Sequence, residues 1–161
     1  MPHRTARPAT LSDEGTLVEG NLKLALETEN HALEADVVRA GVRSVLTRDV
    51  GATYFLVDDP ETGIPAGQLM VTREWSDWRN CHVWWIHSVY VWPEARRTGV
   101  YTTLYQFVCD AAREAGAGGV RLYVDNRNTQ AQQTYRNLGM NGDHYTVFES
   151  IFGSECIEGG L

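Results

Sequence analysis

The stretch from Trp84 to Leu104, WWIHSVYVWPEARRTGVYTTL, constrains this chain more than any other. It opens as an unbroken apolar and aromatic run, the pattern of a strand buried on both faces. Pro93 ends the run, because proline offers no N–H to a ladder and its fixed φ suits a turn. From Val100 the period changes: Val100, Leu104, Phe107, Val108, Ala111 and Ala115 are spaced as one face of an amphipathic helix. The order is therefore strand, basic glycine-bearing turn, helix. A helix start presents N–H groups outside the helical ladder and the positive end of the macrodipole, which together attract an anion. Arg96 and Arg97 add donors, and Gly99 lets the backbone come close, so the residues read as a phosphate cradle. Taken alone, two arginines in a turn are equally consistent with a solvated loop.

Two further features bear on that choice. Val89, Val91, Pro93 and the run Arg96-Arg97-Thr98-Gly99-Val100-Tyr101 resemble the cofactor-binding signature of the GNAT superfamily of acyl-CoA-dependent N-acyltransferases. The later block from Asn128 through Ala131, Tyr135, Leu138 and Gly139 to Met140 is similar to a second motif of that family, in the same order and at a matching separation. Tyr101 stands where the family usually has Gly or Ala. The resemblance implies a mixed α/β fold in a single domain over 1–152, followed by a loose tail over 153–161. It also implies a central, mostly antiparallel sheet, splayed at its fourth and fifth strands and flanked by helices.

The rest of the chain is read in that light. His3 to Ala9 is expected as a first strand, and Ser12 as an N-cap to a helix running to about Glu27. A second helix carries Val37, Val38, Val42, Val45 and Leu46 inward. Ala52 to Val57 and Ala66 to Thr72 are expected as strands joined by a turn at Asp58 to Gly63. Arg73 to Asn80 lacks a clear period and is expected as a loop, whose tryptophans line either an acceptor pocket or a subunit interface, or pack over the sheet edge. Val120 to Val124 is expected as a fifth strand, Asn126 or Asn128 as the cap of a following helix, and Asp143 to Phe152 as a last strand.

Composition narrows the function classes. With 161 residues and 43% hydrophobic content, the chain is long enough to bury one proper core. A formal charge of −7 argues against nucleic acid and is compatible with an amine-bearing substrate. No apolar run is long enough to span a bilayer, and MPHRTARPAT lacks the apolar segment of a secretion signal, so a cytoplasmic protein is expected. Cys81, Cys109 and Cys156 have neither disulfide nor metal spacing, so no metal is expected.

Moving an acetyl group from a thioester to an amine needs a base, a stabilised oxyanion and an acid for the departing sulfur. The resemblance implies that cofactor contacts come from Val89, Tyr90, Val91, Arg96, Arg97, Thr98, Gly99, Val100, Tyr101, Thr102, Asn128 and Tyr135, with acetyl-CoA as co-substrate. The backbone near Val89 to Val91 would serve the oxyanion from a bulge. Tyr135 matches the family's general acid, against the plainer reading of a packed helix tyrosine. His87, inside the central strand, is a candidate base because imidazole titrates near neutrality; a satisfied core histidine is the alternative, and Glu74, Glu27 and solvent are rivals. Glu27, Glu29, Trp75 and Trp85 are candidate acceptor contacts, with solvated carboxylates as the alternative for the two acids. The expected function is acetyl transfer to a primary amine of a small molecule through a ternary complex, with a homodimer in view. Another acyl donor (a longer acyl-CoA, a carrier protein or an aminoacyl-tRNA), a non-catalytic acyl-CoA sensor and an interaction protein remain open.

Overall fold

The computed structural model describes residues 4–153. These fall into two compact units, 4–122 and 123–153. The first holds strands β1 (Ala6–Pro8), β2 (Ala52–Asp58), β3 (Pro65–Ser76), β4 (Cys81–Val91) and β5 (Val120–Arg121) and helices α1 (Glu14–Glu29), α2 (Ala35–Thr47) and α3 (Val100–Glu114). The sheet order is β1-β2-β3-β4-β5, antiparallel throughout except that β5 runs parallel to β4. The second unit holds α4 (Thr129–Asn137). The mixed sheet with helices, expected from the resemblance, is what forms.

Strand alternation distributes the side chains of the sheet between two apolar clusters. Phe55, Leu69, Val71, Trp84 and Ile86 meet Val100, Leu104 and Val108 of α3. Tyr54 and Leu56 meet Leu17 and Val18 of α1 and Val42 of α2. The α1–α2 pair is tied by Glu14, whose carboxylate accepts from Arg43 Nε at 2.7 Å and from Arg39 Nη1 at 3.3 Å. At the start of α1 the expected cap is replaced. Asp13 rather than Ser12 fixes the entry, taking the Thr10 N–H at 2.8 Å and the Arg7 guanidinium at 2.9 and 3.0 Å.

Three expectations are corrected. The segment Arg73 to Ser76 is strand rather than loop, because Arg73, Glu74, Trp75 and Ser76 each find a partner on β4, from Trp84 to Cys81. β5 stops at Arg121. Residues 143–152 make no strand: they join no ladder and are exposed. Most of the tail expected over 153–161 lies outside the described residues, as does His3 of the first strand and Cys156.

The helix that follows the central strand sits close because of one residue. A Cβ at Gly67 would lie 2.5 Å from Val100 Cγ1, and Val100 is 1% exposed at the first position of α3. A β-branched, buried neighbour has no room to give. Gly67→Ala is therefore expected to lower stability by about 1–3 kcal/mol, measured as a fall in the urea midpoint with an unchanged m-value.

Candidate active site

The site begins where the ladder between β4 and β5 ends. β5 pairs β4 only at Trp84 and Trp85, while β4 continues to Val91. Across β3, Met70 pairs His87 and Gln68 pairs Tyr90, so β4 carries one extra residue between them. Ser88, at φ 52, takes the left-handed conformation that this bulge requires. Beyond the bulge the Trp92 N–H donates to Ala66 at 3.0 Å, on the β3 side. Alternation then turns the Val91 N–H the other way, to the side where β5 has already ended. This is the bulge and open strand edge expected around Val89 to Val91.

Immediately afterwards, Pro93–Ala95 makes a short 3-10 turn and the chain enters the basic turn. Arg97 at φ 62 and Gly99 at φ 85 are both left-handed, which curls the backbone into a concave row of amides. The first helical bond of α3 runs from Thr103 N–H to Gly99 carbonyl at 3.0 Å, so the N–H groups of Val100, Tyr101 and Thr102 precede the ladder. Nothing lies within 4 Å of where a Cβ would stand on Gly99. That face of the turn is open to an anion, and the residues present fit a pyrophosphate. Thr98 braces the turn: its hydroxyl donates to Ala95 at 2.6 Å, and its carbonyl accepts from Arg4 Nη1 at 2.7 Å. Val89 and Val91 pack into the α3-side cluster, and Val100 belongs to it. Only their backbones are placed to serve a ligand. The Tyr101 ring lies 6.2 Å from that of Tyr105.

On the opposite face of the sheet runs a line of polar groups. His87 Nε2 is 2.8 Å from Thr72 Oγ1, and its ring is stacked on Trp85 at 6.5 Å. Burial lowers the His87 pKa from its usual value. The Tyr90 hydroxyl donates to Glu27 Oε1 at 2.7 Å, and burial together with that carboxylate pushes the phenol up to about 12. Glu27 is held below the usual carboxylate range, first by the Tyr90 hydrogen bond and then by Arg96. Arg96 spends its Nη2 on Glu27 Oε2 at 2.6 Å and its Nε on the Val91 carbonyl at 3.0 Å. Of the two expected phosphate donors, then, Arg96 is turned toward Glu27, and Arg97 makes no ion pair among the described residues.

The remaining candidates divide. Glu74 accepts from Trp85 Nε1 at 3.1 Å and from Arg121 Nη1 at 3.4 Å, which places Trp85 beside Glu74 on the His87 face. Trp75 is on the other face, edge-on to His82 at 5.2 Å and 56% exposed, so the sheet separates it from Trp85. Glu29, the last residue of α1, is exposed and joins no ion pair among the described residues. In the second unit, Asn128 rather than Asn126 caps α4, accepting the Ala131 N–H at 3.1 Å. Tyr135 follows on that helix, and burial raises its phenol pKa, which keeps it protonated at neutral pH.

Sequence reasoning missed a buried network beside the bulge. Gln68, fully buried, gives its amide N–H to the Leu17 carbonyl and to Asn21 Oδ1, both at 3.2 Å, and Asn21 donates to the Tyr54 hydroxyl at 2.9 Å. A glutamine inside the apolar run Ala66 to Val71 was the available signal, because a buried amide must find partners.

This sheet, with its bulge, open edge and basic turn leading into a helix, has the architecture of an acetyltransferase family. The Acetyltransferase (GNAT) family model matches residues 23–140, and the chain belongs to that family. A possible acetyltransferase from Clostridium difficile 630 is 34% identical, with 93% of this chain and 98% of that one covered at a TM-score of 0.84. A probable acetyltransferase is 24% identical, over 93% and 99% of the two chains at TM-score 0.82. The structure of AAC(6')-Iy in complex with a bisubstrate analogue, CoA-S-monomethyl-acetylneamine, shares the fold at 18% identity and TM-score 0.73, over 93% and 99%. No curated protein sequence matches the chain. Among the described residues no helix is long and apolar enough to cross a membrane, and no cluster of His, Cys, Asp or Glu is placed to hold a metal.

His87 yields a pH test. Its folded-state pKa lies below the unfolded value of about 6.5, so on acidification the unfolded chain takes the proton first. The stability it contributes is complete above neutrality and is lost as pH falls through 6.5 toward the folded pKa. His87→Gln is expected to show a smaller drop in urea midpoint than the parent between about pH 7.5 and 5.5; equal drops would contradict the assignment.

Proposed function

We propose that this protein transfers an acetyl group from acetyl-CoA to a primary amine of a small molecule, by direct attack with both substrates bound to one domain over 1–152. What carries the reading is the open β4 edge, placed one short turn before a concave row of amides at a helix start. The amides of Thr98 to Thr102, with Arg97, hold the pyrophosphate by charge-assisted hydrogen bonds. Acetyl-CoA, when bound, supplies an acetyl thioester as the electrophile.

The Val91 N–H donates to the carbonyl oxygen as it gains charge, and a strand edge already fixed in place costs no reorganisation. His87 removes the ammonium proton, directly or through a water. With Nε2–H donated to Thr72 Oγ1, its basic lone pair is on Nδ1. Tyr135 gives its proton to the departing sulfur: its phenol is protonated at neutral pH, and the phenolate left behind recovers a proton from solvent. Glu27 offers a carboxylate to the acceptor, and Trp85 and Tyr90 offer aromatic faces to its cationic or apolar parts. Free thiols at Cys81 and Cys109 accord with a reducing cytoplasm.

Isothermal titration with acetyl-CoA, followed by thiol release on a panel of amines, tests this reading. Tyr135→Phe is expected to lower kcat by about 100-fold or more with cofactor affinity unchanged. Arg97→Ala is expected to weaken cofactor binding by about tenfold or more. Cofactor binding without acetylation of any amine, and indifferent to Tyr135→Phe, would instead mark an acyl-CoA sensor.

A further inference from the structure

The Glu27 carboxylate joins segments far apart in the chain. Its Oε1 accepts from Tyr90 and its Oε2 from Arg96, across 63 and 69 residues. The Arg96 Cζ also lies 5.5 Å from the Tyr90 ring centroid. Glu27 sits near the C-terminal end of α1, and Arg96 opens the turn that curls around Gly99. One guanidinium thus bridges a carboxylate near the end of α1 and the Val91 carbonyl, on a residue that opens the turn before α3.

Two consequences follow from charge alone. While the pair is closed, both Glu27 oxygens have donors and its charge is compensated, so an incoming ammonium meets little net attraction. The pair is also replaceable. Its side chains are 44% and 41% exposed, so water screens their attraction, and a pyrophosphate arriving at the turn brings more negative charge than a carboxylate. Tyr90, by contrast, is 3% exposed, and its hydroxyl keeps Glu27 Oε1 in place whichever partner Arg96 takes.

Resting on the transferase reading, we propose that Arg96 exchanges Glu27 for the pyrophosphate of the cofactor, and that Glu27 so released, still held by Tyr90, takes the ammonium of the acceptor. Glu27 is then a specificity-determining residue that acts only when the cofactor is bound. Arg97, with no ion pair among the described residues, has no such rival and serves the pyrophosphate throughout.

Titration of coenzyme A alone against the full chain decides the matter without any acceptor. If Glu27 competes with the pyrophosphate for Arg96, Glu27→Gln removes the competitor and tightens binding by about two- to fivefold. Arg96→Ala weakens it, and adding Glu27→Gln to Arg96→Ala changes nothing further. A urea midpoint for each variant establishes that it is folded, and Glu27→Ala, expected to tighten binding in the same way, serves where Glu27→Gln is not. Unchanged or weaker binding by folded Glu27→Gln, or tightening that persists without Arg96, overturns the exchange and leaves the transferase reading standing. Failure of the parent protein itself to bind coenzyme A overturns both.

Discussion

Everything at this site depends on a strand that outruns its neighbour. β4 continues for several residues after β5 has stopped, and a strand edge cannot leave its backbone groups unanswered without cost. The Val91 carbonyl is answered from within the chain, by Arg96 Nε. An edge whose acceptor is covered and whose donor has no partner among the described residues becomes selective for an oxygen that carries negative charge. The extra residue at Ser88 is what re-aims the strand, since without it the alternation that begins at Trp84 would put Val91 in the opposite phase.

The two faces of the sheet then do different work. On the α3 side the need is closeness: Gly67 has no side chain, so Val100 settles onto the sheet and the helix start is brought to the end of β4. On the α1 side the need is polarity held in register. Tyr54, Gln68, Thr72, His87 and Tyr90 are spaced along three adjacent strands, and each has a hydrogen-bond partner. Buried groups of this kind are costly when left unsatisfied, and Gln68 meets that demand on its amide N–H side alone, since its buried Oε1 has no hydrogen-bond partner among the described residues. The polar groups of this face are held in three separate groups, around Gln68, His87 and Tyr90.

How much of this the sequence disclosed depends on whether a signal was local. The change of period after Pro93 announced strand, turn and helix, and the close approach allowed by Gly99 was read from the same few residues, though not its left-handed φ of 85. The bulge was expected from family resemblance alone, because one inserted residue alters neither composition nor hydrophobic period. The strand character of Arg73 to Ser76 was hidden because charged and aromatic residues there are licensed by cross-strand partners on β4. Residues 143–152 misled in the opposite sense: a last strand was expected there, and no ladder partner meets it among the described residues. The Glu27–Arg96 pair was out of reach, since each residue was singled out for its own ligand and nothing in either segment points to the other.

That pair bears on how a strongly acidic protein manages an anionic cofactor. With a formal charge of −7, the chain as a whole repels a pyrophosphate, so attraction must be local. Backbone amides supply it without adding a titratable group, and Arg97 adds one cation at the turn. Arg96, partly exposed, is paired with the Glu27 carboxylate at 2.6 Å. The exchange proposed for Arg96 would leave a negative charge on Glu27 for a cationic acceptor, so that the arrival of one substrate would create the electrostatics favourable to the other.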